Sequence, residues 1–202
     1  GSDPESRRLL ALLGGAALPA AHHVPAVRLL GFAGLLTQVP RSASSLRGLL
    51  AGYFEGVPVR VEPFAGRWVE IPADQRCRLG VCGSTLGLDT SLGDRVYDYA
   101  ATFRVELGPL DREDFMAFLP SGDRMPELRE LVDLVNGDGL DYEIELILRD
   151  AEVPALQLCG PTARLGWCSW LGRRDGMDAR FKILVKGWQH GRREPQGAGR
   201  TA

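Results

Sequence analysis

Apolar and polar positions along the chain follow the rhythms of helices and strands. From Leu46 to Phe54, leucine and aromatic side chains recur three, four, seven and eight positions apart, which is the spacing of one face of a helix. Ser42 precedes this run and can accept a hydrogen bond from a free amide at the helix start, while Gly56 suits its end. The segment therefore predicts an amphipathic helix with one face toward a core.

Strand-like alternation follows the helical segments. Val57, Val59 and Val61 alternate with polar neighbours, the period of a half-buried strand. The same reasoning predicts helices over residues 6–13, 25–36, 111–119 and 126–135, and further strands over residues 95–107, 140–148 and 181–185. Two long Gly-containing stretches, residues 66–93 and 151–178, have no regular rhythm and are predicted to be irregular. The predicted fold class is α+β.

The order of predicted elements occurs twice along the chain. Leu46 is matched by Leu128, and Ile71 is matched by Val153, both at a separation of 82 residues and each within a similar short motif. The alternative is chance agreement among common Leu, Gly and Pro residues. The repeat predicts two similar lobes, each made of helices followed by strands that carry a long Gly-rich loop.

This repeat sets the expected domain boundaries. Residues 25–110 would form the first helix-strand-loop-strand lobe, and residues 111–188 the second. Residues 1–24 would comprise a cloning remnant and an N-terminal helix, and residues 189–202 a flexible tail.

Charge and hydropathy exclude some classes of partner. The chain of 202 residues has 24 Lys and Arg against 26 Asp and Glu, so its net charge of -2 provides no electropositive surface for nucleic acid. The apolar runs are shorter than the roughly 20 residues that a membrane helix needs, and no secretory signal is recognisable. We therefore expect a cytoplasmic protein without direct membrane insertion.

Residues capable of catalysis or metal binding are sparse. The four cysteines, Cys77, Cys82, Cys159 and Cys168, lack the tight ligand pairs of a zinc site, so free thiols of a reducing compartment explain them better. Phosphate-loop, nucleophile-elbow and metalloprotease motifs are absent from the sequence. The sequence predicts no cofactor, no metal, no small-molecule substrate and no enzymatic activity.

Two alternative functions remain open. A hydrolase using Cys82 or Cys168 as its nucleophile would need a neighbouring histidine to form the thiolate, and the chain has only His22, His23 and His190. A small-molecule-binding module would instead show a deep enclosed pocket.

The two irregular stretches contain the strongest candidates for a binding function, because large apolar side chains occur there among glycines. Long loops of this kind are often functional, and tryptophan is enriched at the energetic centres of protein interfaces. An arginine beside them could orient such a loop through its fork of donors. The predicted partner-binding residues are Arg67, Trp68, Val69, Ile71, Leu79, Leu86, Leu165, Trp167, Trp170 and Leu171.

Several motifs in order resemble one family. The segments LLTQVPRSA, VPVRVEPFAGRW and LGWCSWLG, together with shorter matches between them, resemble the TssG (ImpH/VasB) baseplate subunit of type VI secretion systems. The matching segments are residues 35–43, 57–68, 86–87, 92–98, 103–110, 118–120 and 165–172. Members of the family carry a longer N-terminal region, so the chain resembles their C-terminal part.

The resemblance implies a structural role in the wedge of a contractile injection machine. Its implied partners are the TssF, TssK and TssE baseplate subunits, with TssG bridging a TssF pair to two TssK trimers. We therefore expect residues 66–87 and 161–172 to be two TssK-docking loops.

Overall fold

A computed structural model describes residues 23–153 except Leu79, Cys82, Ser84 and Asp89, together with residues 177–186. These residues contain both helices and strands. In chain order the elements are α1 (Ala26–Leu30), α2 (Ala33–Leu36), α3 (Ala43–Tyr53), β1 (Val59–Glu62), β2 (Arg67–Glu70), β3 (Arg95–Asp98), β4 (Thr102–Leu110), α4 (Arg112–Ala117), α5 (Arg124–Val135), β5 (Asp141–Leu148), a 3₁₀ turn (Asp150–Glu152) and β6 (Ala179–Val185).

Capping at the start of α3 agrees with its sequence. The Ser42 hydroxyl oxygen accepts a hydrogen bond from the Ser45 amide at 3.2 Å, which satisfies one of the free amides at the helix start. Asp111 caps α4 in the same way, through the Asp114 amide at 2.8 Å. The helix predicted over residues 25–36 is instead two short helices, because the chain turns at Gly31 and Phe32.

A four-stranded sheet forms the framework, in the order β1-β4-β5-β6. β4 and β5 are parallel, whereas β1 with β4 and β5 with β6 are antiparallel. A parallel pair requires a crossover connection, and α4 and α5 supply it here. Helices and one face of the sheet enclose a shared core, so the predicted α+β class is confirmed.

Alternation along β5 shows how the core is made. Tyr142, Ile144, Leu146 and Leu148 are buried beneath the helices, and the residues between them face the other side of the sheet. The neighbouring strand β4 also contributes buried apolar side chains, since Val105 pairs with Ile144 and both are fully buried. The 2-residue period predicted from the sequence is therefore the basis of the sheet's apolar face.

The predicted two-lobe arrangement is not confirmed. Strands from both halves of the chain hydrogen-bond side by side in one sheet, with β4 from the first half next to β5 from the second. The buried apolar cluster likewise contains side chains from α3 and from α5. Pairing between distant segments joins the halves, and a repeat in the sequence does not reveal such pairing.

Two predicted elements around residues 66–107 were wrong in their limits. The stretch predicted to be irregular begins with strand β2, because Arg67–Glu70 pairs with Arg95–Asp98 across a long loop. The single strand predicted over residues 95–107 is two strands in different sheets. The break at residues 99–101 is where the chain passes from the small sheet to the large one.

The sheet face opposite the core carries charged side chains at alternate positions. Glu145 on β5 has a side chain that is only 1% exposed, and its carboxylate oxygens lie 3.1 Å from Arg180, 3.4 Å from Lys182 and 3.5 Å from Arg104. Arg104 also contacts carboxylates of β1 and β5 at 2.9 and 3.0 Å. This buried carboxylate therefore joins β4, β5 and β6 electrostatically.

Replacing Glu145 with glutamine should lower the free energy of unfolding by about 1–2 kcal/mol. The amide keeps the shape of the side chain but leaves its cations without their shared countercharge. The expected loss of stability is smaller than for a wholly buried ion pair, since the side chains of Arg180 and Lys182 can turn toward water. Urea denaturation measures the change, with Glu70→Gln as the control because the Glu70 side chain is exposed. Equal losses in the two variants would contradict the prediction.

Candidate docking surface

A two-stranded ribbon occupies the part of the chain between β1 and β4 of the main sheet. β2 and β3 pair antiparallel, with Arg67 opposite Asp98 and Glu70 opposite Arg95. Together they form the ribbon, and residues 71–94 that connect them form the ribbon loop. Since β1 and β4 are also an antiparallel pair, the ribbon continues their hairpin beyond two short connections, residues 63–66 and 99–101.

Aromatic rings form an exposed row on one face of the ribbon. Trp68 and Tyr97 are cross-strand partners whose rings meet edge-to-face with centroids 5.2 Å apart. Tyr97 meets Tyr99 in the same manner at 4.7 Å. The Trp68 side chain nevertheless remains 66% exposed, and both tyrosines are exposed as well. The rings hold one another in position while leaving apolar surface in contact with water.

The ribbon loop adds aliphatic side chains to this exposed surface. Leu86, Leu88 and Leu92 are 85–90% exposed, and Val81 is exposed too. Scattered single apolar residues on a surface are ordinary, whereas several of them in one loop, joining two strands that carry exposed aromatic rings, are characteristic of interaction sites. The aromatic row and these loop side chains together are the strongest candidate for a docking surface in the described part of the chain.

The predicted partner-binding residues differ in how far they are exposed to solvent. Trp68 and Leu86 are exposed, Val69 is partly exposed, and Arg67 is partly buried on β2. Ile71 does not share this exposure, because it is 9% exposed and its amide donates to the Asp94 carbonyl at 2.8 Å. The remaining predicted residues, Leu79, Leu165, Trp167, Trp170 and Leu171, lie outside the described residues.

Other residues of the surface were missed by sequence reasoning. Tyr97 and Tyr99 were placed in the strand predicted over residues 95–107 and not selected, although their two-residue spacing already places both rings on one strand face. Leu88 and Leu92 lay in the stretch predicted to be irregular but were not selected. The pairing of β2 with β3, which brings Trp68 beside Tyr97, has no local signal in the sequence.

Gly66 lies where the ribbon leaves the main sheet, and its lack of a side chain leaves room for an aromatic ring. A Cβ atom on Gly66 would lie 2.5 Å from the ring of Tyr97, closer than real contacts allow. The Tyr97 ring therefore packs directly over the Gly66 backbone. One residue earlier, the Ala65 amide donates to the Thr102 carbonyl of β4 at 2.8 Å. The Ala65 hydrogen bond attaches the base of the ribbon to the sheet.

Arg41 is another residue whose structural role was not predicted. Its guanidinium donates to the Leu134 carbonyl at 3.0 Å and to the Val135 carbonyl at 3.4 Å, so it caps the C-terminal end of α5. Gly137 leaves room for it, since a Cβ there would lie 2.8 Å from the guanidinium. The motif at residues 40–42 therefore joins the start of α3 to the end of α5.

A groove of about 260 Å³ lies between the start of α3, the end of α5 and the base of the ribbon. Its walls are mostly apolar and include Leu46, Val61 and Phe103, and Phe64 lies at its rim with a positive φ of 58°. Such a backbone conformation is rare for a bulky side chain. In shape the groove lies between an enclosed cavity and an open surface.

The described residues contain no group of three or more potential metal ligands and no helix long and apolar enough to cross a membrane. Cys77 is a free thiol, and His23 donates through its backbone amide to Glu130 at 2.7 Å. Both cysteines considered as nucleophiles, Cys82 and Cys168, lie outside the described residues.

Comparisons with known proteins identify related sequences and folds. The model of the family "Type VI secretion, TssG" matches residues 1–172. No curated protein matches the chain. A chain of the type VI secretion TssK-TssF-TssG baseplate subcomplex, solved by cryo-electron microscopy, is 21% identical with a TM-score of 0.70, and the alignment covers 100% of this chain and 88% of that one.

A second solved structure has a similar fold. A chain of the baseplate complex from the type VI secretion system is 22% identical with a TM-score of 0.64, and the alignment covers 100% of this chain. The present chain spans 59% of the length of that second chain. At these identities the two alignments establish a shared fold.

Proposed function

The chain belongs to the TssG family of type VI secretion proteins, and we propose that it is a structural baseplate subunit that docks TssF and TssK through exposed loops. The solved assemblies with a similar fold are a TssK-TssF-TssG subcomplex and a whole baseplate complex. The family resemblance also implies TssE as a neighbour in the same assembly. In this role the protein is cytoplasmic and catalyses no reaction.

The exposed apolar surface of the ribbon and its loop is the observation that supports docking. Fully burying one leucine or aromatic side chain contributes about 1.5–3 kcal/mol. Part of that gain is lost to ordering the loop and immobilising the partners. Removing Trp68 and the loop leucines from water would therefore supply binding free energy that the isolated chain leaves unused.

The aromatic row suits the centre of such an interface. Trp68 and Tyr97 already restrain each other, so less side-chain entropy is lost when a partner covers them. Charged groups flank the row, since Glu70 and Arg95 form the cross-strand pair two positions further along the ribbon. An apolar centre with a polar rim is the usual anatomy of a protein interface.

Two docking loops would allow one subunit to engage two copies of a trimeric partner. The first loop is residues 66–87, at the start of the ribbon and its loop. The second is residues 161–172, where Trp167, Trp170 and Leu171 occur among glycines. We propose that each loop binds one TssK trimer.

Removing the ribbon should halve the number of TssK trimers that co-purify with the protein. Because Arg67 and Asp98 are opposite each other, a short Gly-Ser turn can replace residues 67–98 without removing any strand of the main sheet. Native mass spectrometry of the complex co-expressed with TssF and TssK counts the trimers. A variant lacking only residues 73–92 separates the contribution of the loop from that of the aromatic row. Retention of both trimers after removal of the whole ribbon would refute the proposed docking role.

A further inference from the structure

We propose that the ion pair between Arg67 and Asp141 is the positioning element of the ribbon, holding it in the direction in which it docks. The inference rests on the proposed docking function and assigns a specific role to two residues that lie away from the exposed rings. Arg67 is the first residue of β2 and Asp141 is the first residue of β5, so the pair ties the base of the ribbon to a central strand of the main sheet.

The covalent connections alone leave the ribbon free to change direction. Residues 63–66 and 99–101 join it to β1 and β4, and neither segment is part of a strand ladder. Short connections of this kind can absorb changes in backbone angles as a hinge does. The hydrogen bond from Ala65 to Thr102 attaches one side of this hinge. A second attachment is needed to restrain rotation about the first.

Arg67 and Asp141 supply that second attachment at the right place. Asp141 is the register partner of Thr102, so the ion pair and the Ala65 hydrogen bond meet the sheet side by side. The two side chains are 21% and 17% exposed, and a pair so shielded from water interacts more strongly than a surface pair. The contact is made by the terminal Nη2 of Arg67, whereas its Nε is buried with no hydrogen-bond partner in the described part of the chain.

A second ion pair on the ribbon provides the contrast. Arg95 and Glu70 are 3.5 Å apart, their side chains are 56% and 74% exposed, and both belong to the ribbon itself. Exposed pairs of this kind contribute little. This pair also cannot restrain the ribbon against the sheet, which makes Arg95 a matched control for Arg67.

Direct contacts link the restrained residue Arg67 to the aromatic rings of the docking surface. Arg67 follows Gly66, over which the Tyr97 ring packs, and Tyr97 in turn contacts Trp68. Fixing Arg67 therefore fixes the direction of the aromatic row. A ribbon released from Asp141 would have to be ordered when it binds, and affinity would fall by the cost of that ordering.

Electron-spin distance measurements test the restraint without any partner. In a background with the four native cysteines replaced by serine, spin labels at V96C on β3 and V39C on the body report the direction of the ribbon. The distance distribution should be narrow in the parent and should broaden in both Arg67→Ala and Asp141→Ala. The distribution should be no broader when both substitutions are combined, because each one alone already removes the same ion pair. Arg95→Ala should leave it narrow, and Asp141→Asn provides a gentler substitution of the same size.

The second measurement is the affinity of the full chain for TssF and TssK. Each substitution is introduced into the full chain, and binding is titrated with purified components. We expect about tenfold weaker binding when the pair is broken, from the ordering of the released ribbon. A distribution that stays narrow in Arg67→Ala or in Asp141→Ala would overturn the proposal. Broadening with unchanged affinity would also overturn it, provided that Trp68→Ala weakens binding. If Trp68→Ala itself leaves binding unchanged, the docking function fails, whereas the distance measurement still reports on the hinge.

Discussion

Replacing Phe118 with alanine should lower the free energy of unfolding by about 3–5 kcal/mol. Phe118 follows α4 and is fully buried, and its ring meets that of Phe54 edge-to-face with centroids 5.0 Å apart. The substitution would leave a cavity where helices from both halves of the chain meet. Loss of the ring contact adds to the cost of that cavity.

Urea or thermal unfolding followed by circular dichroism measures this change. Phe64→Ala is the matched control, since it makes the same substitution at a largely exposed side chain and should change stability little. A comparable loss in the two variants would show that Phe118 does not lie in the core. Because a domain of this size is marginally stable, the Phe118 variant is expected to be partly unfolded at 37 °C.

Replacing Trp68 with alanine should weaken binding to TssF and TssK about 30-fold, which corresponds to the roughly 2 kcal/mol that an interface hot spot contributes. The reason is that the indole is the largest exposed ring of the ribbon and lies beside Tyr97. Stability of the isolated chain should change little, because the ring is outside the core cluster. Docking and folding are therefore separable by this one substitution.

Titration of the purified complex components by calorimetry or biolayer interferometry measures the affinity, and urea unfolding measures the stability of the same samples. Val39→Ala is the control, since Val39 is also an exposed apolar residue but lies between α2 and α3. Equal weakening by both substitutions would indicate a general effect of surface hydrophobicity. A Trp68 variant that binds as tightly as the parent would exclude the aromatic row as a docking site.

Local patterns predicted much of the helix and strand content. The apolar spacing of Leu46, Leu49 and Leu50 with Ser42 as cap yielded α3, and the two-residue alternation of β5 yielded its buried face. Such patterns are readable because both depend on residues that are neighbours along the chain. Motifs such as that at residues 57–68 also identified the family, which the match over residues 1–172 confirms.

The candidate site was predicted only in part. Trp68 and Leu86, both selected from the sequence, are exposed, and Leu86 lies in an irregular loop as predicted, whereas Trp68 lies on a strand. Trp68 is on a strand whose partner is about 30 residues away, and Tyr97 joins it from that partner. Pairing across a long loop depends on tertiary contacts, so the meeting of Tyr97 with Trp68 and the burial of Ile71 had no local signal in the sequence.

Residue order over short distances is enough to recognise the α+β class, the cap of α3, the apolar face of β5 and membership of the TssG family. Three further features became visible in three dimensions: strands from both halves share one sheet, residues 67–98 form a ribbon with its loop, and Arg67 meets Asp141. Sheet pairing and ion pairing join residues far apart in the chain, and the packing of the whole core sets those contacts.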